Sequence, residues 1–416
     1  MTFKRQLTTF VAVMALLGGA APVVVPQAAA AAAQAQGKIG PKVGKPLSEA
    51  QQLANKNDFQ GAMAKVNEAQ AIDNKNPAEQ AVIYEFQGFL ALKLNDYPAA
   101  QKAYAAAVDE NLVAPEKLAD HLTTLTKLAY QNKDYPAAVK YGNMALQQNE
   151  NTDLALLVGQ AAYLQKDYPT ATAAFKKLLE IADKTQTPVQ EDWLKLLLSS
   201  EYNTKNNAGV MAAMEQLLQK FPSEKYWTDA LNLVEDSGKK SDEERLQVLR
   251  LKNRMTKMQG AEYVNMAQIA LRQGVPGDAK IALEKGFAEG VLSKKDDSSL
   301  LEEARASAQK DKSTLTSQAK EITASGKGSA MLSLGEAFIS YGQCQNAIDI
   351  IKQAAQKGVD ADKTNLDLGI AYACNNQANE AIEAFRKVPA DSKYAQLARL
   401  WAIAVPQMKS QPTAAK

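Results

Sequence analysis

Three segments of this chain repeat one short pattern, and this repetition limits the folds that the chain can adopt. Each segment has a polar turn, the tripeptide Asp-Tyr-Pro and then an amphipathic helical pattern; the segments span 93–108, 130–146 and 163–179. Proline suits the first turn of a helix because its missing N–H would have no intrahelical partner there. Another helical pattern precedes each turn. The sequence therefore predicts consecutive pairs of helices, each pair joined by a short turn.

Small residues recur at fixed distances around these turns. The first helix of each pair carries Gly88, Thr126 or Gly159, and a small residue follows 12 positions later; four positions further come Tyr104, Gly142 and Phe175. The same frame returns near the C-terminus, where Ala347 and Ala381 lie 34 residues apart. Small residues at such positions let two helices cross closely while a large side chain occupies the space beside them. A single pair cannot bury its apolar stripe, so the pairs are expected to stack.

This frame resembles the tetratricopeptide repeat (TPR) family, which places a small residue and then Tyr on helix A, and Ala, an aromatic residue and Ala on helix B. The resemblance covers most of residues 47–390, and its clearest copy contains Gly369, Tyr372, Ala381 and Phe385. It implies an all-α, right-handed superhelical solenoid of stacked antiparallel helix pairs. About ten pairs are expected, with a capping helix over 392–405. The competing interpretation is an ordinary helical bundle with accidental periodicity.

The predicted organisation follows the strength of the repeats along the chain. Repeats are clear in the first and last blocks, and large apolar residues are scarce between positions 292 and 327. The predicted segments are a signal peptide (1–36), a flexible leader (37–46), an N-terminal TPR block (47–181), a central TPR-like block (191–291), a degenerate helical joint (292–327), a C-terminal TPR block with its capping helix (328–405) and a disordered tail (406–416).

The N-terminal segment has the features of an export signal. Lys4 and Arg5 precede the apolar run Phe10–Leu17, and an Ala-rich stretch with A-x-A sites follows. Glycine and proline interrupt the apolar run before it reaches the length of a membrane span, about 20 residues, which disfavours a transmembrane anchor. Cleavage is expected between Ala30 and Gln36. These features predict a periplasmic or secreted protein, typical of a Gram-negative bacterium.

Composition argues against most catalytic and nucleic-acid-binding classes. The chain has 48 Lys plus Arg and 46 Asp plus Glu, so it lacks the basic excess that phosphate backbones require. It has one histidine, His121, and two cysteines, Cys344 and Cys374, which is too few for zinc-finger or Fe–S sites. No phosphate-binding loop or catalytic triad pattern is present. We therefore expect no enzymatic activity, no catalytic residues, no cofactor, no metal and no nucleic-acid partner.

The resemblance also implies where a partner would bind. In a TPR stack helix A forms most of the concave groove, and the residues one and four positions after the small residue face it. Tyrosine suits such a surface because it offers a large contact area at a small cost in conformational entropy. Some of these side chains could instead pack against the next repeat. The candidate groove residues are Phe89, Leu92, Lys93, Lys127, Tyr130, Gln160, Tyr163, Leu198 and Tyr202.

Two functional hypotheses follow. The first is a non-catalytic exported scaffold that binds protein or peptide partners through the concave groove, in cell-envelope assembly or transport. The alternative is a solenoid in the envelope that binds polysaccharide or serves an enzyme as an accessory. The sequence does not identify the partner.

The two cysteines are expected to form a disulfide. In TPR stacking, helix A of each repeat packs against helix B of the repeat before it, which would bring Cys344 and Cys374 together. An oxidising compartment favours such a bond. The competing interpretation is two separate buried thiols that act as small apolar side chains.

Overall fold

The computed structural model describes residues 38–408, and within them the chain forms twenty α-helices and no β-strand. This confirms the predicted all-α, TPR-like fold class. The described residues divide into two compact units, 38–210 and 211–408. The predicted signal peptide (1–36) and the end of the predicted tail (409–416) lie outside the described residues.

Unit 1 is a series of helices that contact their neighbours in sequence order. Each helix makes its contacts with helices one or two places away along the chain. Its helices are α1 (Pro41–Asn55), α2 (Phe59–Gln70), α3 (Pro77–Lys93), α4 (Tyr97–Asp109), α5 (Pro115–Gln131), α6 (Tyr135–Gln148), α7 (Thr152–Leu164), α8 (Tyr168–Lys184) and α9 (Glu191–Asn203); the boundary between the units falls within α10 (Asn207–Lys220).

Unit 2 contains helix pairs, one long single helix and a terminal helix. Its helices are α11 (Glu224–Asp236), α12 (Asp242–Met255), α13 (Gly260–Arg272), α14 (Pro276–Ala288), α15 (Lys294–Ser325), α16 (Gly328–Ser340), α17 (Cys344–Ala355), α18 (Ala361–Cys374), α19 (Ala378–Arg386) and α20 (Ala395–Met408). Unlike unit 1, it also has contacts between helices far apart in sequence, because α12 packs against α20.

The Asp-Tyr-Pro tripeptides form one kind of turn. The residue before each Asp has a positive φ: 59° at Asn95, 61° at Lys133 and 65° at Lys166. The Asp side chain then accepts a hydrogen bond from the backbone N–H three residues later, as Asp96 does from Ala99 at 3.0 Å. Such a cap typically stabilises a helix by about 1 kcal/mol. The turn reverses the chain and fixes where helix B of each pair begins.

The small residues of the repeat frame lie where helix A and helix B cross. A Cβ atom added at Gly159 would lie 2.4 Å from the ring of Phe175, and one at Gly88 would lie 2.5 Å from the ring of Tyr104. In the intervening pair the sizes are exchanged. Gly142 lies on helix B, and Val158 of the next pair occupies the space beside it. The repeated spacing of small and large residues therefore reflects side chains of complementary size that pack against each other in the core.

Three predicted segment limits differ from the structure. The expected leader 37–46 is helical from Pro41, because Val43 and Leu47 are buried in the first core cluster and Glu79 accepts a 2.9 Å hydrogen bond from the Gly40 N–H. The terminal helix continues to Met408, beyond the start of the expected tail. The boundary between the compact units lies at 210/211, within the predicted central block (191–291), whereas the predicted helical joint (292–327) consists mostly of α15, a helix of 32 residues.

Candidate functional site

The predicted groove residues of unit 1 lie on helices α3, α5, α7 and α9, which are the A helices of successive pairs. We call this surface the A-helix face of unit 1. Phe89 and Leu92 are half-buried, and the ammonium group of Lys93 lies 5.5 Å from the centre of the Phe89 ring. Lys127 is exposed and lines a small cleft with Asp120 and other residues of α5 and α7.

The two central tyrosines of this face are half-buried and are held by neighbouring rings. Tyr130 meets Tyr135 edge-on with ring centres 5.8 Å apart, and Tyr163 meets Tyr168 in the same way at 5.4 Å. The Tyr163 hydroxyl also makes a 2.7 Å hydrogen bond with Ser199 Oγ of α9. Burial raises the pKa of Tyr130, with a smaller contribution from Tyr135. These tyrosines therefore contribute to packing between repeats as well as to the surface.

The remaining predicted residues differ in accessibility. Gln160 is half-buried, and Tyr202 is 38% exposed. Leu198 is only 6% exposed, so the structure places it in the interior, and its assignment to the groove is wrong. Its neighbour Glu201 is also buried, where it forms an ion pair with Lys176 at 2.7 Å. Apolar residues cover a wide part of the surface of α9. Helix periodicity alone did not distinguish the apolar residues that are buried from those that are exposed.

Sequence reasoning missed two features of this region. The first is that Tyr135 and Tyr168, the tyrosines of two Asp-Tyr-Pro turns, follow Tyr130 and Tyr163 by five residues and pair with their rings. The second feature is the environment of His121, which no sequence pattern indicates. His121 is half-buried on α5, and its Nε2 forms a 2.7 Å ion pair with Glu85 of α3. Burial lowers the pKa of His121, but the hydrogen bond and the charge of Glu85 outweigh that effect, and the net shift is upward.

In unit 2 the corresponding helix face is covered by α12. Glu336 follows Gly335 on α16 as Phe89 follows Gly88 on α3, so it holds a predicted groove position. Glu336 Oε2 accepts a 2.7 Å hydrogen bond from Arg250 of α12. Every residue of α12 from 246 to 253 is buried, although the helix is rich in charged residues. Unit 2 therefore encloses one of its own helices on this face, whereas the main contacts within unit 1 are between helices one or two places apart along the chain.

A group of buried charges fixes α12 in this position. Arg250 Nε donates to Asp278 at 2.8 Å, and Gln247 Nε2 donates to Asp367 at 3.2 Å. Lys363 Nζ lies 2.6 Å from Asp367 Oδ2 and also contacts Glu336. A buried charge is tolerated only with such partners, because desolvation of an unpaired charge costs several kcal/mol, on the order of 3–5. Removing one partner should therefore disturb the whole group.

The carboxylates of this group are affected in opposite directions. Burial by itself would raise the pKa of Glu336, but the charges of Arg250 and Lys363 outweigh it and hold the pKa below its usual range. Burial raises the pKa of Asp367, because Lys363 opposes it only in part and Glu336 adds to it. The two carboxylates share Lys363, so Asp367 gains the proton first when the pH falls. This arrangement is a structural charge network without an accessible reaction centre.

The described residues lack two further kinds of functional feature. No group of three or more His, Cys, Asp or Glu side chains between positions 38 and 408 is arranged to hold a metal ion. None of the helices in this part of the chain is both long enough and apolar enough to cross a membrane.

Comparison with solved structures returns TPR proteins. A tetratricopeptide repeat protein from Parabacteroides merdae is 17% identical, and the match covers 64% of this chain and 100% of that one, with a TM-score of 0.30. The C-terminal part of a TPR repeat-containing protein from Cytophaga hutchinsonii is 14% identical, with 63% and 93% coverage and a TM-score of 0.28. A TPR domain of yeast Sti1 in complex with pHSP90 is 11% identical, with 70% and 97% coverage and a TM-score of 0.24.

Because these identities and TM-scores are low, the fold assignment rests on the helix pairs and turns described above. A scan against protein-family models gives no match. A comparison with curated proteins gives none either.

Proposed function

We propose that this protein is a non-catalytic exported scaffold that holds an extended segment of a protein partner along the A-helix face of unit 1. The observation that carries the proposal is the contrast between the two units. In unit 2 the groove position Glu336 is engaged by Arg250 of α12, whereas in unit 1 the main contacts of each helix are with helices one or two places away along the chain. A series of helices without such a cover offers a continuous surface for an elongated ligand.

The chemistry of this face suits a mixed polar and aromatic peptide. Phe89 with Lys93, and the tyrosine pairs of α5 to α8, offer rigid apolar area with hydroxyl groups at the edge. Lys127 supplies an exposed positive charge. Tyr163 is held by Ser199, so its ring needs little further ordering when a partner binds. These features support a segment with aromatic or aliphatic anchors rather than a strongly acidic tail, which would require several basic residues.

Site-specific photocrosslinking in living cells tests this proposal. A photoreactive phenylalanine analogue is placed at Lys127 or Gln160 on the A-helix face. In the matched control variants, the same analogue replaces Gln147 or Ala173, which are exposed on helices α6 and α8. We expect discrete protein adducts from the first two positions and none from the controls. Adducts from both sets alike, or adducts only with polysaccharide, would contradict the proposal.

Export forms the second part of the proposal and has a separate test. It is supported by Lys4 and Arg5 followed by the apolar run Phe10–Leu17. We expect the native chain to be recovered from the periplasm of a Gram-negative host in a shortened form. A Leu16→Arg variant, which interrupts the apolar run, should stay in the cytoplasm at full length. Equal distribution of the two proteins would refute export by this segment without affecting the scaffold proposal.

A further inference from the structure

Unit 2 has a cavity of about 360 Å³ at the end where the turns within its last two helix pairs lie. Its wall includes the first residues of α17 and α19, the disulfide between Cys344 and Cys374, and the apolar side chains of Val405 and Met408. This volume is at the lower end of the range for small-molecule sites, about 300–1,000 Å³. The wall combines polar and apolar groups in similar amounts, and among its described lining residues one carries a charge, Arg254.

Arg254 lies at the end of α12 and faces this cavity without a counter-ion. No hydrogen bond or ion pair joins its guanidinium group to another residue between positions 38 and 408, and the group lies 5.7 Å from the centre of the Trp401 ring. Desolvation by the surrounding helices lowers the pKa of Arg254, although its side chain remains accessible to solvent. The nearby carboxylates of Asp278 and Glu336 form ion pairs with Arg250 and not with Arg254.

The helix ends at the cavity lack the carboxylate that the repeat uses elsewhere. In unit 1, Asp96, Asp134 and Asp167 accept hydrogen bonds from the first turn of helix B. At α17 and α19 the equivalent residues are Gln343 and Gln377, and neither side chain makes a capping hydrogen bond. The N–H groups of a helix start carry partial positive charge and attract anions.

A buried donor near Arg254 has no acceptor either. Trp401, whose ring faces the guanidinium group, is fully buried, and its indole N–H has no hydrogen-bond partner within residues 38–408. Buried polar groups are nearly always hydrogen-bonded in native proteins, so an unpaired donor calls for an explanation. The guanidinium group of Arg254 and the first residues of α17 and α19 therefore line one cavity, and the unpaired indole N–H belongs to the ring that Arg254 contacts.

We propose that this cavity binds a small organic carboxylate, with the carboxylate on Arg254 and the apolar body against Val405, Met408 and the disulfide. A guanidinium group binds a carboxylate through two parallel hydrogen bonds, which suits a planar monoanion. A phosphate dianion would find a single full positive charge and would be poorly neutralised. The site is separate from the A-helix face of unit 1, and it uses a residue of α12 rather than groove positions of the repeats.

Calorimetric titration of the full-length protein tests this proposal. The probes are hexanoate, hexanamide and inorganic phosphate, and the proteins are the native chain, Arg254→Gln and Arg386→Gln. Arg386 is an exposed arginine on α19 and serves as the matched control. We expect hexanoate to bind the native chain and Arg386→Gln alike, with at least tenfold weaker binding to Arg254→Gln. Hexanamide and phosphate should bind at least tenfold more weakly than hexanoate.

A second variant separates loss of the site from loss of the fold. Ala378→Phe places a ring in the cavity and leaves Arg254 unchanged, so hexanoate binding should fall while the circular-dichroism spectrum stays native. Equal binding of hexanoate and hexanamide to the native chain would overturn the proposal, and so would hexanoate binding that survives in Arg254→Gln. Stronger binding of phosphate than of hexanoate would overturn the assigned ligand class.

Discussion

At the scale of single residues, the fold depends on matched volumes and on a few partnered charges. The glycines at helix crossings have a ring or a branched side chain where a Cβ would lie, so any larger residue must displace a neighbour. His121 and Glu85 link two A helices through an ion pair that is shielded on one side by the ring of Tyr104, with the two ring centres 5.4 Å apart. Each feature yields a substitution with a defined direction of effect.

We expect Gly159→Ala to destabilise unit 1 by about 1–3 kcal/mol, the usual range for an overpacked core. The added methyl group would lie 2.4 Å from the ring of Phe175, which cannot move away without disturbing its neighbours. Urea unfolding followed by circular dichroism measures the effect. Phe175→Leu in the same chain should make the Gly159→Ala substitution less costly. Additive effects of the two substitutions would show that the glycine is not paired with this ring.

The ion pair of His121 should make stability depend on pH. Its pKa is raised in the folded state, so its contribution is complete below the unfolded pKa of about 6.5 and declines as the pH rises through the folded value. His121→Gln should therefore destabilise the protein more at pH 5.5 than at pH 8.5, by roughly 1 kcal/mol. Thermal unfolding at the two pH values measures this difference, and Glu85→Gln should reproduce it. A pH-independent effect of both substitutions would contradict this assignment.

At the scale of secondary-structure elements, the turns within helix pairs and the disulfide determine how neighbouring helices meet. A residue with positive φ precedes the capping Asp in the best repeats, and Asn376 or Gly342 holds that place in the last two pairs. The disulfide joins the start of α17 to the end of α18, with Cα atoms 5.6 Å apart. It therefore connects helix B of one pair to helix A of the next, as the TPR resemblance implies.

Replacing both cysteines by serine should destabilise unit 2 by about 3–4 kcal/mol, because it removes the disulfide. The two residues are separated by 30 positions, and closing a loop of that size restricts the unfolded chain. Thiol titration of the unfolded native protein without reductant should find no free thiol. Detection of two thiols would show that the cysteines remain reduced, and a reductant should then leave the unfolding midpoint unchanged.

The sequence predicted these elements more accurately than it predicted surface exposure. The helix pairs, their turns and the matching of small and large residues at helix crossings all depend on residues within about half a repeat of each other. Such local patterns can be recognised in the sequence. Leu198 shows the limit. A leucine on an amphipathic helix is compatible with either a groove or a core position, and the neighbouring helices decide between them.

At the scale of the whole molecule, the two units use the same helix pairs in different ways. In unit 1 the main contacts join helices one or two places apart along the chain, whereas in unit 2 Arg250 and Lys363 link α12 to helices far away in sequence. Within unit 2, α15 is a helix of 32 residues with only three buried side chains, Ala304, Ala308 and Leu315, so we expect its local stability to be low. Stability in repeat proteins follows local and nearest-neighbour contacts.

Limited proteolysis should therefore cut α15 before the repeats of unit 1. Lys312 and Lys320 are exposed on its C-terminal half, and Gly326 ends the helix with a φ of 68°. Brief trypsin treatment of the native protein, followed by mass spectrometry, should give first cleavages within residues 294–327. First cleavages within 93–180 would show that the local stability is distributed differently.

The sequence by itself determined the all-α class, the helix pairs, their turns and the size matching at helix crossings, because all of these depend on side chains near one another along the chain. Only the tertiary structure decided that α12 covers the helix face of unit 2. The contacts that cover unit 2 join residues far apart in sequence: Arg250 to Glu336 across 86 positions and Gln247 to Asp367 across 120. No periodic pattern relates such residues, so their partners, and the cavity beside Arg254, follow from how the chain packs in three dimensions.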